Sequence, residues 1–192
     1  VRYQFHSAGC GACTEKLYCT ASAASASNEW ISGLEIGVWK NYSGGGPGYV
    51  DYTNTPLNLL EILPNTSLLI TIQPGFSSTP YLEYFRVYID FNADGDFSDP
   101  GELAFDPGFA SNAPVSGWIN PPPDMAWGPS RMRILMKYKD VQSSPPSPCE
   151  SFNFGQVEDY CVHLGPKMNP TPAQNDSKAL LVYPQPAADW AT

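Results

Sequence analysis

The chain has 192 residues, 42% hydrophobic and 13% aromatic but only 15% charged, against about a quarter charged in an average soluble protein. Ten basic and nineteen acidic side chains leave a net charge of −9, which argues against nucleic acid or an anionic membrane surface as partner and favours divalent cations. No run approaches the roughly 20 apolar residues that span a bilayer. A start at Val1, without an initiator Met or a basic, apolar leader, predicts a mature exported chain.

Residues 1–16 read as a cysteine-containing extension in which Val1, Tyr3 and Phe5 alternate like an edge strand. Twenty prolines and sixteen glycines then leave little room for helices. Strands are predicted at 34–40, 48–53, 57–62, 67–73, 84–90, 103–105, 115–119, 131–138 and 158–164. The clearest alternation puts Phe85, Val87 and Ile89 on one face, then Met132, Ile134, Met136 and Tyr138, then Tyr160, Val162 and Leu164. Gly44-Gly45-Gly46-Pro47, Pro64-Asn65 and Pro121-Pro122-Pro123-Asp124 supply turn chemistry between them. The expected fold is all-β, an antiparallel sandwich (jelly-roll-like or Ig-like) of about eight or nine strands with extended termini. Residues 165–179 read as a linker and 180–192 as a truncated strand-like segment.

One segment carries chemistry. Asp90, Asn92, Asp94 and Asp96 recur at alternate positions, Gly95 allows a tight turn, and Asp99 and Glu102 follow. This is the opening of a loop in which a hard cation collects six to eight oxygens. The twelfth position, where a bidentate Glu is usual, is Gly101, and the preceding residues alternate as a strand. A calcium loop hung from a β-hairpin is therefore predicted, with Asp90, Asn92, Asp94, Asp96, Asp99 and Glu102 as candidate ligands and a structural Ca2+ as cofactor. Glu158 and Asp159, adjacent on a strand, must face opposite sides. The inward one needs either Arg131 or Arg133, or the metal, as its partner.

Several motifs follow in order: Tyr18-Cys19-Thr20, the run from Tyr88 to Phe97, Arg131-Met132-Arg133, Pro148-Cys149, and Gly155-Gln156-Val157-Glu158-Asp159-Tyr160. Together, over 17–164, the chain resembles the GEVED domains of secreted bacterial surface proteins. Gln156 stands where the motif has its first Glu. Leu181-Val182-Tyr183-Pro184-Gln185-Pro186-Ala187 resembles the start of a type IX secretion sorting domain, with Gln185 departing from Pro-Asn-Pro. The first resemblance implies a secreted or cell-surface, non-enzymatic module and a Cys19–Cys149 disulfide. The second implies the type IX machinery as a partner. Cys161 then reaches for Cys10 or Cys13, and one of these two is left over.

His6, Cys10, Cys13 and Cys19 have zinc-like spacing, but disulfides suit an exported chain better. His163 beside Cys161 is read as a surface strand residue. No nucleophile elbow, zincin helix or phosphate loop occurs, so no catalytic residue is assigned. Trp39, Tyr42, Trp118 and Trp127 are candidate glycan contacts. Asn41, Asn65 and Asn175 open glycosylation acceptor patterns. Three functions compete: a calcium-stabilised adhesion module binding a surface glycan or protein, a subunit of an extracellular filament exchanging strands through its termini, and an accessory domain of a secreted hydrolase.

Overall fold

The structure, a computed structural model, describes residues 13, 16–55 and 59–166. Eleven strands follow in order: β1 (Ser22–Ser25), β2 (Glu29–Ile36), β3 (Trp39–Asn41), β4 (Tyr49–Asp51), β5 (Leu60–Ile62), β6 (Leu68–Phe76), β7 (Glu83–Ile89), β8 (Leu103–Phe105), β9 (Val115–Ile119), β10 (Gly128–Tyr138) and β11 (Ser151–Leu164). They form a seven-stranded and a four-stranded sheet, stacked as a sandwich.

The expected all-β sandwich is what forms, with more strands and mixed pairing. The segment 34–40 is not one strand. Gly37, at φ 57°, turns the chain between β2 and β3, which pair antiparallel. The smooth apolar pattern hid that turn. β1 has only Ser and Ala side chains and so gave no periodic signal. β11 begins at Ser151, seven residues before the alternation noticed at Glu158.

β11 organises the larger sheet. One edge pairs antiparallel with β10, from Gly128↔Leu164 to Lys137↔Gly155. The other edge is tiled end to end by β1, β4 and β5, all parallel to it. The antiparallel expectation therefore holds for the remaining pairs and fails on this edge. β7 pairs with the far side of β10, and β8 closes that edge. The smaller sheet runs β3-β2-β6-β9.

The expected Phe85/Val87/Ile89, Met132/Ile134/Met136 and Tyr160/Val162/Leu164 residues all point between the sheets. There they meet Ile31, Leu34, Ile36, Ile70, Ile72 and Ile119. Tyr138, expected with the second set, is half-buried and lies outside that core. The opposite face of the larger sheet is also dry. Tyr88, Leu135, Phe152 and Val157 form a second cluster with Ala21, Ala23 and Phe97, against which Tyr18 and Cys19 pack. A strand buried on both faces tolerates charge only in pairs. That constraint governs Arg133 and Asp159 below.

Candidate metal centre

β7 ends at Ile89, and the acidic loop starts at once. Asp90 is fully buried, while Asp94 and Asp96 lie on the surface. Asp90 Oδ1 accepts the Asp94 N–H at 3.1 Å, and its Oδ2 accepts the Gly95 N–H at 3.0 Å. Gly95 has φ 107°, the conformation expected of the tight turn. Asp94 Oδ1 accepts the Asp96 N–H, and Asp96 Oδ1 accepts the Ser98 N–H and hydroxyl. Asn92 donates its amide to Asp94 at 3.1 Å and Asp99 at 2.6 Å, while its oxygen accepts the Asp94 N–H. The Glu102 carboxylate accepts the Asp99 N–H at 3.0 Å through Oε2, and its buried Oε1 has no hydrogen-bond partner.

The six predicted residues thus converge in one loop. Carboxylate oxygens of Asp90, Asp94 and Glu102 lie within 4.8 Å of one another, as do those of Asp94, Asp96 and Asp99. Burial pushes the Glu102 carboxyl up to about 7; the Asp99 N–H opposes this, and Asp90, Asp94 and Asp99 add to it by repulsion. Asp94 is held below its usual range, chiefly by the Asp96 N–H. A divalent cation would relieve this repulsion and satisfy the orphaned oxygen.

Residues not assigned to the loop from the sequence anchor it. The Tyr18 hydroxyl donates to Asp90 Oδ2 at 2.6 Å, and Ser130 donates to the Asp90 carbonyl. Phe97 turns inward beside Tyr18 and Tyr88, with ring centroids at 5.1 and 6.2 Å. Arg131 stacks over Tyr18 at 4.3 Å. Two disulfides hold the Tyr18 strap to the sheet. Cys19–Cys149 is the pair expected, and Cys161 takes Cys13. The alternative partner, Cys10, and His6 lie outside the described residues.

On β11 the expected arginine partner goes to Asp159, which faces away from the Tyr160/Val162/Leu164 side, and not to the acid on that inter-sheet face. Arg133 makes a two-pronged pair with Asp159 at 2.7 Å through Nε and Nη2, Arg131 adds a contact at 3.4 Å, and the Tyr49 hydroxyl donates at 3.0 Å. Arg133 also donates to the Cys19 and Pro148 carbonyls at 2.8 and 2.7 Å. Glu158 faces the opposite side, also fully buried, so both acids need partners rather than one. It accepts from Ser43 at 2.8 Å and Tyr160 at 2.7 Å, and burial raises it to about 7. Both acids are held by protein groups as structural residues, and neither joins the acidic clusters. Gln156 accepts the Ile31 N–H at 2.8 Å and donates to the Pro47 carbonyl at 3.1 Å. Only an amide does both, so Gln156 stitches the two sheets where an ionised Glu could only accept.

These buried bonds explain the Gly-Gln-Val-Glu-Asp run as a structural motif. Residues 84–163 match the family model of the GEVED domain. The GEVED match covers β7 through most of β11, narrower than the 17–164 span of the sequence resemblance, although β1 to β6 complete the same sandwich. No curated protein and no solved structure matches the chain. The sorting-domain-like run 181–187 lies outside both the described residues and the GEVED segment.

The aromatic candidates do not form one platform. Trp39 is half-buried, edge-on to Tyr160 at 5.4 Å. Tyr42 is exposed, packs beside β2 near Gly33, and bonds Glu35. Trp118 is exposed on the edge strand β9, and exposed Trp127 lies against Gly165 beside the other sheet. His163 is partly exposed, its Nδ1 3.1 Å from the Gly165 carbonyl oxygen, as a surface strand residue would be.

Proposed function

We propose that the chain is a non-catalytic module of an extracellular or cell-surface protein, stiffened by calcium in the 90–102 loop and used for adhesion to a glycan or protein. The observation that carries the calcium reading is the buried, unpartnered Glu102 Oε1 beside the carboxylates of Asp90 and Asp94. The Asn92 amide now bridging Asp94 and Asp99 marks where a cation would sit between them. Two disulfides support an oxidising compartment. No helix of the described residues is long and apolar enough to cross a membrane. Residues 181–187 extend the proposal to delivery by type IX secretion.

Differential scanning calorimetry with calcium and with EDTA tests the loop. At a hundredfold excess over the dissociation constant, a ligand specific to the folded state adds about 2.7 kcal/mol, or roughly 5–10 °C in Tm for a chain of this size. Glu102→Gln should abolish the gain. Neither heat of binding nor a Tm change in the parent chain would sink the calcium reading. Sedimentation velocity under the same conditions separates the adhesion module, a monomer in both, from a filament subunit, which would polymerise with calcium.

A further inference from the structure

At the other end of β7 from the acidic loop, the start of β2 in one sheet faces β10 and β11 of the other. A cleft of about 230 Å³ opens there, lined by Asn28, Glu29, Tyr81, Tyr138 and Phe154. Tyr81 and Tyr138 stand at 88° with centroids 5.6 Å apart, and Tyr138 and Phe154 at 85° and 6.3 Å, so the rings make successive perpendicular walls. Tyr81 is 38% exposed and Phe154 45%, leaving the mouth open. Glu83 is not part of this lining but lies behind it, as the register partner of the lining residue Tyr138 and the next residue on the Phe85/Val87 face of β7, close enough to feel the Glu29 charge. Glu83 is fully buried, and neither carboxylate oxygen has a hydrogen-bond partner. Glu29, from the opposing sheet, is 3% exposed.

We infer that this cleft is a binding site for an alkylammonium group, with Glu29 in its wall and the buried Glu83 behind it as counter-charges and Tyr81, Tyr138 and Phe154 as the cage. Aromatic faces attract cations, and more strongly where water is excluded. Two carboxylates are too few for calcium, which collects six to eight oxygens. Burial, reinforced by the Glu29 charge, pushes Glu83 up to about 9. A bound ammonium would supply the charge that Glu83 lacks. The site is independent of the calcium loop and stands whether or not that loop takes a metal.

The test is calorimetric titration of the full chain, in calcium-containing buffer, with butylammonium, with neutral butanol, and with Nα-acetyl-lysine amide. Butylammonium should bind and raise the Tm, and butanol should do neither. Glu83→Gln keeps the side-chain shape and removes the charge, so it should remain folded while weakening butylammonium at least tenfold. Phe154→Leu, at the rim, should weaken it severalfold. Tighter binding of the lysine amide than of butylammonium would identify a lysine side chain of a partner protein as the source, and equal or weaker binding a free amine. Equal response to butanol, unchanged affinity in Glu83→Gln, or no binding at all would overturn the assignment. So would displacement of butylammonium by added calcium that depends on Glu83.

Discussion

At Gly155 the backbone has φ 122°, and a Cβ there would sit 2.0 Å from the Met136 carbonyl oxygen of the neighbouring strand. Neither the conformation nor the space admits a side chain, so Gly155→Ala should cost about 3 kcal/mol or more, read as a lower denaturation midpoint. Three residues on, Glu158 is raised by burial to about 7 from an ordinary 4.5. The folded state therefore favours its protonated form. The associated stability is complete below the unfolded value and is lost as pH rises through about 7. Between pH 5 and 8 the parent chain should lose stability relative to Glu158→Gln, by up to roughly 3 kcal/mol at about 1.4 kcal/mol per unit. A flat difference across that range would show that Glu158 is not the titrating group. At this scale the acidic loop was legible, because its oxygens are neighbours in sequence. Glu83 was not: each of its companions lies on a different strand or loop, and alternation alone cannot say that two carboxylates meet.

Among the elements, β10 and β11 carry the charge that holds the second face of the larger sheet together. Arg133, 1% exposed, and Asp159, fully buried, are paired between hydrophobic layers. Removing one partner leaves the other buried and alone, so Arg133→Met should destabilise by about 3–5 kcal/mol. Arg133→Met with Asp159→Leu should recover much of that loss, measured by urea denaturation of the singles and the double. The sequence offered Arg131 and Arg133 as equal partners for one of the two β11 acids. Register decides between them, since Arg133 lies directly opposite Asp159 and Arg131 opposite Cys161. The same register placed Cys161 away from the inter-sheet face, which is why it was readable as a disulfide donor. Pairing partners on the far edge of β11 were not readable. β1, β4 and β5 are short, and β1 has no large side chain to give its strand a pattern.

Across the whole molecule, the two disulfides span 148 and 130 residues of sequence. In the loop-entropy description each removes about 5 kcal/mol of unfolded-state freedom. Cys19→Ser with Cys149→Ser should lower the melting temperature strongly in non-reducing buffer, and reduction of the parent chain, which opens both bridges, should lower it further. The Cys13–Cys161 bridge also has a mechanical consequence. A pull applied along the chain from either side of the sandwich enters at Cys13 and leaves at Cys161 through the sulfur atoms, bypassing almost every strand. Roughly 500 Å of extendable polypeptide is thereby kept out of the load path. Stretched between points flanking Cys13 and Cys161, the oxidised protein should transmit tension across the sandwich without lengthening. Only after reduction should it pay out its hidden length, seen as a gain of contour length in single-molecule force extension.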